Sequence, residues 1–450
     1  MATLPQPELF SWELLDFSPD LKRLELMLGS IPDEAFMQKL EEERKGRRND
    51  YPIRAVWNSL LAGIVFQHPS IEALRRELLR NAELRQICGF SVLKGASAVP
   101  PKWIYSRFLS KLFKHQQEID EMFDTLVERL RQLLPGFGKH LAIDSKALQT
   151  WAKGKKEPEK SSDPDADWGV KTYKGIREDG TVWEKVKSWF GYKVHLIVDA
   201  DYELPVAYEI TQASQSDQTS LIPMVEKLDE KHEELVQEAE SLSGDKGYDS
   251  EDNIKTLWDD FGLKPVIDIC HKWKEEPNAP RPLYPDRVDT IFYNQDGHIL
   301  CRNLDSEDES RNYASMTFQG FEKDRESLKY RCPMKAMGIS CTQQEICNGG
   351  HHTDHGRIVR IPLEEDRRFF TPLARGTYAW ERIYKKRTAV ERVNSRLDVS
   401  FGFERHFIRR RKKMKVRMGL ALAVMLAMAV GWIESGEKKK MRSLVQPRAA

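Results

Sequence analysis

Three acidic residues of this chain stand where divalent metal ions could use them. Asp144 ends the apolar run in LAIDSKAL, Asp245 lies in SGDKGYDS, and Glu391 lies in YKKRTAVERVNSRL. Hydrolysis or transfer at a phosphodiester uses one ion to activate the attacking oxygen and a second to stabilise the leaving oxygen. Mg²⁺ prefers carboxylates and water as ligands. Folding that brought these acids together would create a two-ion site for Mg²⁺ or Mn²⁺.

The segment that carries Glu391 also places a tyrosine and an arginine on one helical face. Tyr384, Arg387 and Glu391 follow one another at spacings of three and four residues, which align side chains along a helix. Arginine binds phosphate bidentately, and tyrosine donates to a phosphate oxygen or stacks on a displaced base. Packing at a domain edge is the alternative for Tyr384. An acid that needs cations beside a base that binds phosphate indicates chemistry on a nucleic-acid backbone.

Basic residues are clustered, although the formal net charge is only +1. Arg405–Arg417 contains the run RRRKKMKVR, and Glu437–Arg442 reads EKKKMR. Such runs are either phosphate-binding patches or solvated surface. The candidate DNA contacts in and near the first run are Arg396, Arg409, Arg410 and Arg411.

Two residues close to the acidic motifs have two interpretations each. His195 alternates with Lys193 and Ile197 on one face of a predicted strand, so it could point toward the acids. A hydrogen-bonded structural histidine is the favoured interpretation. Lys246, next to Asp245, could contact the DNA backbone or extend into solvent.

Six cysteines in 450 residues do not make a disulfide scaffold and indicate a reducing compartment. Five of them fall in a polar region with many prolines and aromatic residues, and His351, His352 and His355 follow the last one closely. The candidate ligands of a structural Zn²⁺ ion are Cys301, Cys332, Cys341 and Cys347. Their spacing is wider than in common zinc sites. Free thiols therefore remain the alternative.

These residues require an α/β framework to position them. Residues 1–135 have helical periodicity throughout and predict a domain for DNA binding or dimerisation. Within it, Ile53–Phe66 and Ser70–Asn81 predict a helix pair, either a helix-turn-helix or a plain structural hairpin. The predicted organisation is a helical domain at 1–135, a catalytic domain at 136–269 and 376–435, an insertion at 270–375 and a basic tail at 436–450.

The catalytic region alternates strand and helix patterns. His140–Asp144, Phe190–Ala200, Glu203–Thr211 and Lys264–Ile269 predict strands, and the second and third of these predict a hairpin. The polar stretch Trp151–Lys187 predicts a loop. Since open α/β sheets present their ligand sites at strand ends, the first two acids are suitably placed.

One uncharged stretch requires comparison with a membrane span. Met418–Ile433 is 16 residues long, shorter than the ~20 residues that cross a bilayer. A helix buried on all sides within a protein core accounts for it better. We therefore expect no membrane association.

The motifs together resemble those of the DDE transposases of bacterial insertion sequences, in the group with a Tyr–Arg–Glu signature on the helix of the last acid. The similarity includes DYPIRAVWNSLLAGIVFQHPSIEALRREL, the block around DPDA, GYKVHLIVDA and GDKGYDS. It extends through RTAVERVNSRLDVSFGFERHFIRRRKKMKVRMGLALAVMLAMA, the most specific block. The family signature has a lysine seven residues after the glutamate, where this chain has Asp398. Arg396, Arg405 or the basic run could supply that contact.

The resemblance implies a ribonuclease-H-like catalytic domain, a mixed sheet flanked by helices, with Asp144, Asp245 and Glu391 as the metal-binding triad. It implies an enzyme that binds the terminal inverted repeats of its element, cleaves DNA with two Mg²⁺ or Mn²⁺ ions and transfers the freed 3′ end to target DNA. A homodimer on double-stranded DNA and a cytoplasmic, nucleoid-associated location in a bacterium are expected. The alternatives are a DNA-binding protein without catalysis, and a nuclease that cuts without joining.

Overall fold

A computed structural model describes most of the chain. The described residues are 19–44, 50–177, 181–270, 279–302, 313–339, 341, 347 and 356–443. The three histidines at 351, 352 and 355 and the end of the predicted basic tail, 444–450, lie outside them.

The N-terminal region is helical, as its periodicity predicts. Its helices are α1 (Pro19–Ser30), α2 (Glu34–Glu42), α3 (Ile53–Val65), α4 (Ile71–Arg80), α5 (Ala82–Cys88), α6 (Lys102–Leu112) and α7 (Gln116–Leu133). The predicted helix pair corresponds to α3 and α4. Ser70 caps α4, since its side chain accepts a hydrogen bond from the Ala73 N–H at 3.2 Å.

A mixed sheet follows. Its strands are β1 (His140–Gln149), β2 (Asp167–Ile176), β3 (Val182–Asp199), β4 (Leu204–Gln212), β5 (Ser241–Gly244) and β6 (Lys264–Ile267). β3 pairs antiparallel with β1, β2 and β4, whereas β1–β5 and β5–β6 are parallel. The accompanying helices are α8 (Leu221–Lys231), α9 (Glu233–Glu238) and α10 (Glu251–Asp259).

The prediction of a loop over Trp151–Lys187 is wrong for the residues of β2 and for the start of β3. β2 pairs with the first half of β3 from Asp167 opposite Gly191 to Ile176 opposite Val182. This hairpin projects beyond the part of the sheet where β3 pairs with β1 and β4. Most residues in the first half of β3 are exposed. Lys174 and Glu184 interrupt the face that carries Val182 and Val186, so the apolar alternation typical of a half-buried strand is weak.

In its described residues, the region predicted as an insertion, 270–375, forms two small antiparallel sheets with their own core. The first has the order β10–β9–β8–β7 and the second β11–β12–β13. Their strands are β7 (Arg281–Pro282), β8 (Ile291–Tyr293), β9 (Ile299–Arg302), β10 (Tyr313–Ser315), β11 (Thr317–Glu322), β12 (Ser327–Arg331) and β13 (Ile358–Pro362), with a short helix α11 (Pro333–Ala336). Buried residues of this region, such as Ile291 and Leu328, form a cluster separate from the main core.

The chain then returns to the sheet. Its last helices are α12 (Tyr378–Lys386), α13 (Thr388–Ser395) and α14 (Arg411–Glu434), with one π-helical stretch, Arg396–Ser400, after α13. The segment predicted as one helix around Glu391 is therefore two, which meet at Arg387.

The helix α14 occupies the centre of the molecule. It extends the predicted Met418–Ile433 at both ends and packs against α1, α3, α7 and β4. It is long and apolar enough to cross a membrane, but 89% of its apolar window is buried inside the protein. Burial on all sides accounts for its composition. One hydrophobic core consequently joins the N-terminal helices, the sheet and α14.

Candidate active site

Two of the predicted acids lie side by side at the edge of two parallel strands. The last residue pair between β1 and β5 is Ile143 with Gly244. Asp144 and Asp245 are the next residue on each strand, so the strand register alone makes them neighbours. The Asp144 carboxylate accepts a hydrogen bond from the Ser145 N–H at 2.7 Å, and that of Asp245 accepts one from the Gly247 N–H at 2.8 Å.

The two carboxylates repel each other. Burial, followed by the charge of Asp245, raises the pKa of Asp144 to about 6 from its ordinary value of 3.8. The hydrogen bond from Ser145 and the positive charge of Lys171 oppose the rise. Two acids held this close at a strand edge favour a cation between them.

Arg387 lies between this pair and the third acid. It is the residue at which α12 and α13 meet, and its Nη1 is 3.2 Å from the Glu391 carboxylate. Burial disfavours its charge, but Tyr384, Glu391 and the two aspartates raise the pKa of Arg387 above its usual value. The guanidinium also lies 5.6 Å from the Tyr384 ring centroid, and that ring stacks on Trp380 at 4.8 Å. The three residues of the Tyr–Arg–Glu signature therefore form one connected group.

The third acid does not complete a metal site in this conformation. In the parts of the chain that the structure describes, no group of three His, Cys, Asp or Glu side chains could hold a metal ion. The Glu391 side chain is 56% exposed and paired with Arg387, on a helix that packs against β1 and β3. Asp144 and Asp245 supply the oxygen donors that a hard divalent ion prefers. The residues fit such an ion, with two donors in place and a third on the adjacent helix.

Two residues with open interpretations are now placed. His195 is fully buried on β3, its Nε2 is 2.9 Å from the Thr211 hydroxyl, and burial lowers its pKa to about 4. It is thus a neutral structural histidine, which was the favoured interpretation. Lys246 is exposed beside Asp245.

The predicted DNA-contacting arginines separate into two groups. Arg409, Arg410 and Arg411 are exposed at the start of α14. Arg396 instead pairs with Glu203, in the turn between β3 and β4, and donates to its backbone carbonyl. The structure therefore engages Arg396 in a half-buried intramolecular contact, pairs the exposed Arg410 with Asp165 at 3.9 Å, and leaves Arg409 and Arg411 exposed.

Asp398, at the position of the signature lysine, forms an ion pair with Lys146. Lys146 lies on β1, two residues after Asp144. The pair ties the π-helical stretch after α13 to the strand that carries the first acid.

Several residues near the acids carried no distinctive sequence signal. Tyr248 is fully buried, and Asp217, Asp144 and Asp245 all act on its phenol electrostatically. Asp217 pairs with Lys193 at 3.0 Å. Lys171, on the β2–β3 hairpin, acts on Asp144. Only the pairing of β2 with β3 reveals Lys171 as a neighbour of the site.

The four candidate zinc ligands share one neighbourhood between the two sheets of the insertion. Burial raises the pKa of Cys301 to about 11, and the other three thiols, Cys347, Cys332 and Cys341, add to the rise. The Cys347 sulfur lies 3.7 Å from the Thr290 hydroxyl and 3.9 Å from Arg357 Nη1. The Cys332 N–H donates to the Arg357 carbonyl at 2.8 Å. All six cysteines are free thiols.

Paired aspartates, one in the middle of β1 and one directly after β5, with an arginine and a glutamate beside them, form a carboxylate site suited to phosphodiester chemistry. The family described as "Transposase DDE domain" matches residues 135–427. The chain belongs to this family, whose members act in DNA transposition and recombination, and the family prediction made from the motifs is confirmed.

Other comparisons add little. A search of the curated proteins finds no match. Among solved structures, the chain is similar to piggyBac transposase in a synaptic complex with hairpin DNA, at 12% identity and a TM-score of 0.37, over 96% of this chain and 80% of that chain.

Proposed function

We propose that this protein is an active DNA transposase that binds the ends of its element and catalyses metal-dependent strand cleavage and strand transfer. The observation that carries the proposal is the register that makes Asp144 and Asp245 neighbours. The sheet adds support. Antiparallel β4, β3 and β1 followed by parallel β5 and β6 are the arrangement we expect of a ribonuclease-H-like domain.

In this proposal Asp144 and Asp245 hold two Mg²⁺ or Mn²⁺ ions, and Glu391 becomes the third carboxylate once Arg387 turns to the DNA. Bound divalent ions supply Lewis acidity and neutralise charge on the phosphate. Arg387 exchanges the Glu391 carboxylate for a phosphate oxygen, which holds the strand in register. Tyr384 supports Arg387 through its ring. None of these residues forms a covalent bond to DNA.

Before this exchange of partners, Glu391 is paired with Arg387, which accounts for its not completing a metal site in the structure. An arginine beside three carboxylates compensates their charge when neither DNA nor metal is bound. DNA phosphate competes for the guanidinium, and the cation competes for Glu391. DNA and metal would then bind cooperatively, since each releases the partner that the other needs.

A strand-transfer assay tests this function. Labelled duplexes that carry an element end are incubated with the protein, target DNA and Mg²⁺ or Mn²⁺. Joined products are expected for the native chain, and neither cleavage nor joining for Glu391→Gln, which should still bind DNA. Nicking without joining would indicate a nuclease, and binding without cleavage a DNA-binding protein that has lost catalysis.

The assembly follows from the reaction. Two element ends must be processed together, so we propose a homodimer on double-stranded DNA. Arg409, Arg410 and Arg411 are exposed and provide phosphate contacts at the start of α14. The N-terminal helices contribute end recognition or dimerisation. The protein would work in the bacterial cytoplasm, on nucleoid DNA.

A structural Zn²⁺ ion in the insertion is a separate part of the proposal. Cys301 lies in β9, Cys332 follows β12, and Cys341 and Cys347 lie between α11 and β13. A tetrahedral ion would join these segments. Their sulfurs would move together on binding, since the described residues hold no preformed group at metal-binding distances. The role of the ion would be to stabilise the fold and not to take part in cleavage.

A further inference from the structure

The β2–β3 hairpin has two chemically different faces. Because paired residues share a face, the register groups Lys171 with Lys187 and Tyr173 with Lys185 on one side. The opposite side carries Val170, Thr172 and Val186, and one lysine, Lys174, stands opposite the acid Glu184 there. We call the first side the lysine face.

The lysine face carries three lysines and one acid, Asp167, at the end of the hairpin next to Gly191. Lys171 and Lys187 are directly opposite each other, an arrangement that costs stability in a sheet. Within the described residues, neither they nor Lys185 form an ion pair with an acidic side chain. All three are exposed. A hairpin that places like charges opposite each other is suited to an anionic ligand.

Aromatic residues accompany these lysines. Tyr173 is 41% exposed and its ring lies 5.9 Å from the Lys171 ammonium. On the same face, the Trp189 ring covers Gly169 and the Trp183 ring covers Gly175, where an added Cβ would lie 2.3 Å and 2.5 Å from the indole atoms. Lysines interleaved with aromatic rings are typical of surfaces that bind nucleic-acid strands.

The lysine face also adjoins the candidate active site. Lys171, Lys187 and Tyr173 line one wall of a cavity of about 410 Å³, and Ser145 and Lys193 line another part of it. Ser145 directly follows Asp144, on which Lys171 acts electrostatically. A DNA strand whose phosphate reaches the aspartates would extend along this cavity.

We propose that the lysine face binds the sugar–phosphate backbone of the DNA strand that enters the active site, with Lys171 and Lys187 on its phosphates. The inference rests on the proposed function, because it needs DNA as the ligand. It assigns the hairpin a task distinct from metal binding, namely holding the strand beside the carboxylates.

Salt-dependent DNA binding tests the proposal. The full chain carrying both Lys171→Gln and Lys187→Gln is titrated with labelled element-end duplex without divalent metal, over a series of salt concentrations. The slope of log K against log salt is negative, and each lost phosphate contact reduces its magnitude by about 1. We therefore expect the magnitude to be smaller by about 2 in the hairpin variant. The matched control, Lys255→Gln with Lys323→Gln, removes two exposed lysines outside the hairpin and outside the N-terminal helices, and should leave the slope unchanged.

The outcomes separate this inference from the proposed function. If the native chain binds no DNA, both fail. If the native chain binds and the hairpin variant has the same slope, only the role of the lysine face is rejected. Light scattering measures the mass of the free protein. If the hairpin variant differs from the native chain in this mass while its salt slope is unchanged, the lysine face binds a second copy of the chain, and its role in DNA binding is rejected. Circular dichroism of the variants verifies folding.

Discussion

A metal ligand at Asp144 must be a charged carboxylate, but the charged form of this side chain destabilises the folded protein. Its pKa of about 6 lies above the ordinary 3.8 because the carboxyl is partly buried next to Asp245. A pKa that is higher in the folded state than in the unfolded state means that folding favours the proton. The stabilising contribution of this group is therefore complete below about pH 4 and is lost as the pH rises past about 6.

Asp144→Asn should stabilise the metal-free protein while it abolishes DNA cleavage. At pH 7.5 the neutral amide removes the repulsion, and we expect the free energy of unfolding to rise by about 1–3 kcal/mol. Thermal melting in EDTA measures the change. Asp324→Asn, at an exposed acid of the insertion, is the control and should alter neither property. A less stable Asp144→Asn protein would contradict the electrostatic account.

Metal binding should weaken in acid. A divalent ion competes with the proton for Asp144, so its affinity should fall by up to tenfold for each pH unit below about 6. Calorimetric titration of Mn²⁺ between pH 5 and pH 8 measures this dependence. The Asp144→Asn protein provides the reference, since it lacks the titrating group. An affinity that stays constant from pH 5 to pH 7 in the native chain would show that Asp144 is not a ligand.

At the scale of elements, α14 depends on glycine for its position in the core. A Cβ at Gly419 would lie 2.4 Å from the Tyr208 hydroxyl, which hydrogen-bonds Asp120 at 2.5 Å. The glycine therefore allows the helix to approach the contact between β4 and α7. Tyr208 is buried, so its hydroxyl has little freedom to move away.

Gly419→Ala should destabilise the protein by about 1–3 kcal/mol, because the added methyl overpacks the contact with Tyr208. In an open helix the same change stabilises by up to about 1 kcal/mol. Gly29→Ala in α1 is the matched control, since nothing lies within 4 Å of its Cβ position. Denaturant unfolding measures both variants. The expected result is opposite signs, and equal effects would reject the steric explanation.

The insertion should lose its proposed ion when a ligand is removed. Cys332→Ser is expected to reduce bound zinc from one equivalent to below about half, as measured by elemental analysis after purification without chelators. Cys270→Ser, at a thiol outside the proposed set, should retain the metal. Zinc-free native protein prepared under the same conditions would reject the site and leave the four residues as free thiols.

The strand and helix patterns predicted the elements that carry the acids, but not all of their surroundings. β1, β3 and β4 are apolar and buried at one end, so alternation and length identified them. The sequence did not predict the β2–β3 hairpin, because β2 pairs only with the first half of β3 and most side chains of the hairpin are exposed to solvent. The break at Arg387 also escaped, since both helices keep the same amphipathic period across it.

Side-chain pairing was the least predictable property of the site. The sequence predicted Arg387 and Glu391 on one face, yet not that they would pair with each other in the absence of ligand. It likewise proposed Arg396 for DNA, whereas Glu203 binds it. Such choices depend on which opposite charge is nearest in three dimensions, and distances along the chain do not contain that information.

At the scale of the molecule, the N-terminal helices and the sheet share one core through α14. The helix α14 packs against α1, α3 and α7 and also against β4. Without α14, neither the N-terminal helices nor the sheet would have a complete hydrophobic core. The insertion, in contrast, has its own smaller core.

The chain divided between residues 135 and 136 should be soluble only when both parts are present. Each fragment alone would expose apolar surface that is buried in the shared core of the native protein. We therefore expect each fragment to aggregate. Co-expression of 1–135 and 136–450 should give a complex that purifies together through a tag on one part. A soluble 136–450 fragment with a cooperative thermal transition would show instead that the two regions are independent domains.

The position of α14 has a consequence during synthesis. The helix that the earlier elements pack around emerges from the ribosome only after residue 434 has left the exit tunnel. Until then the nascent chain lacks its central support and must rely on chaperones or remain loosely collapsed. We therefore expect a chain whose synthesis stops before residue 434 to remain unfolded.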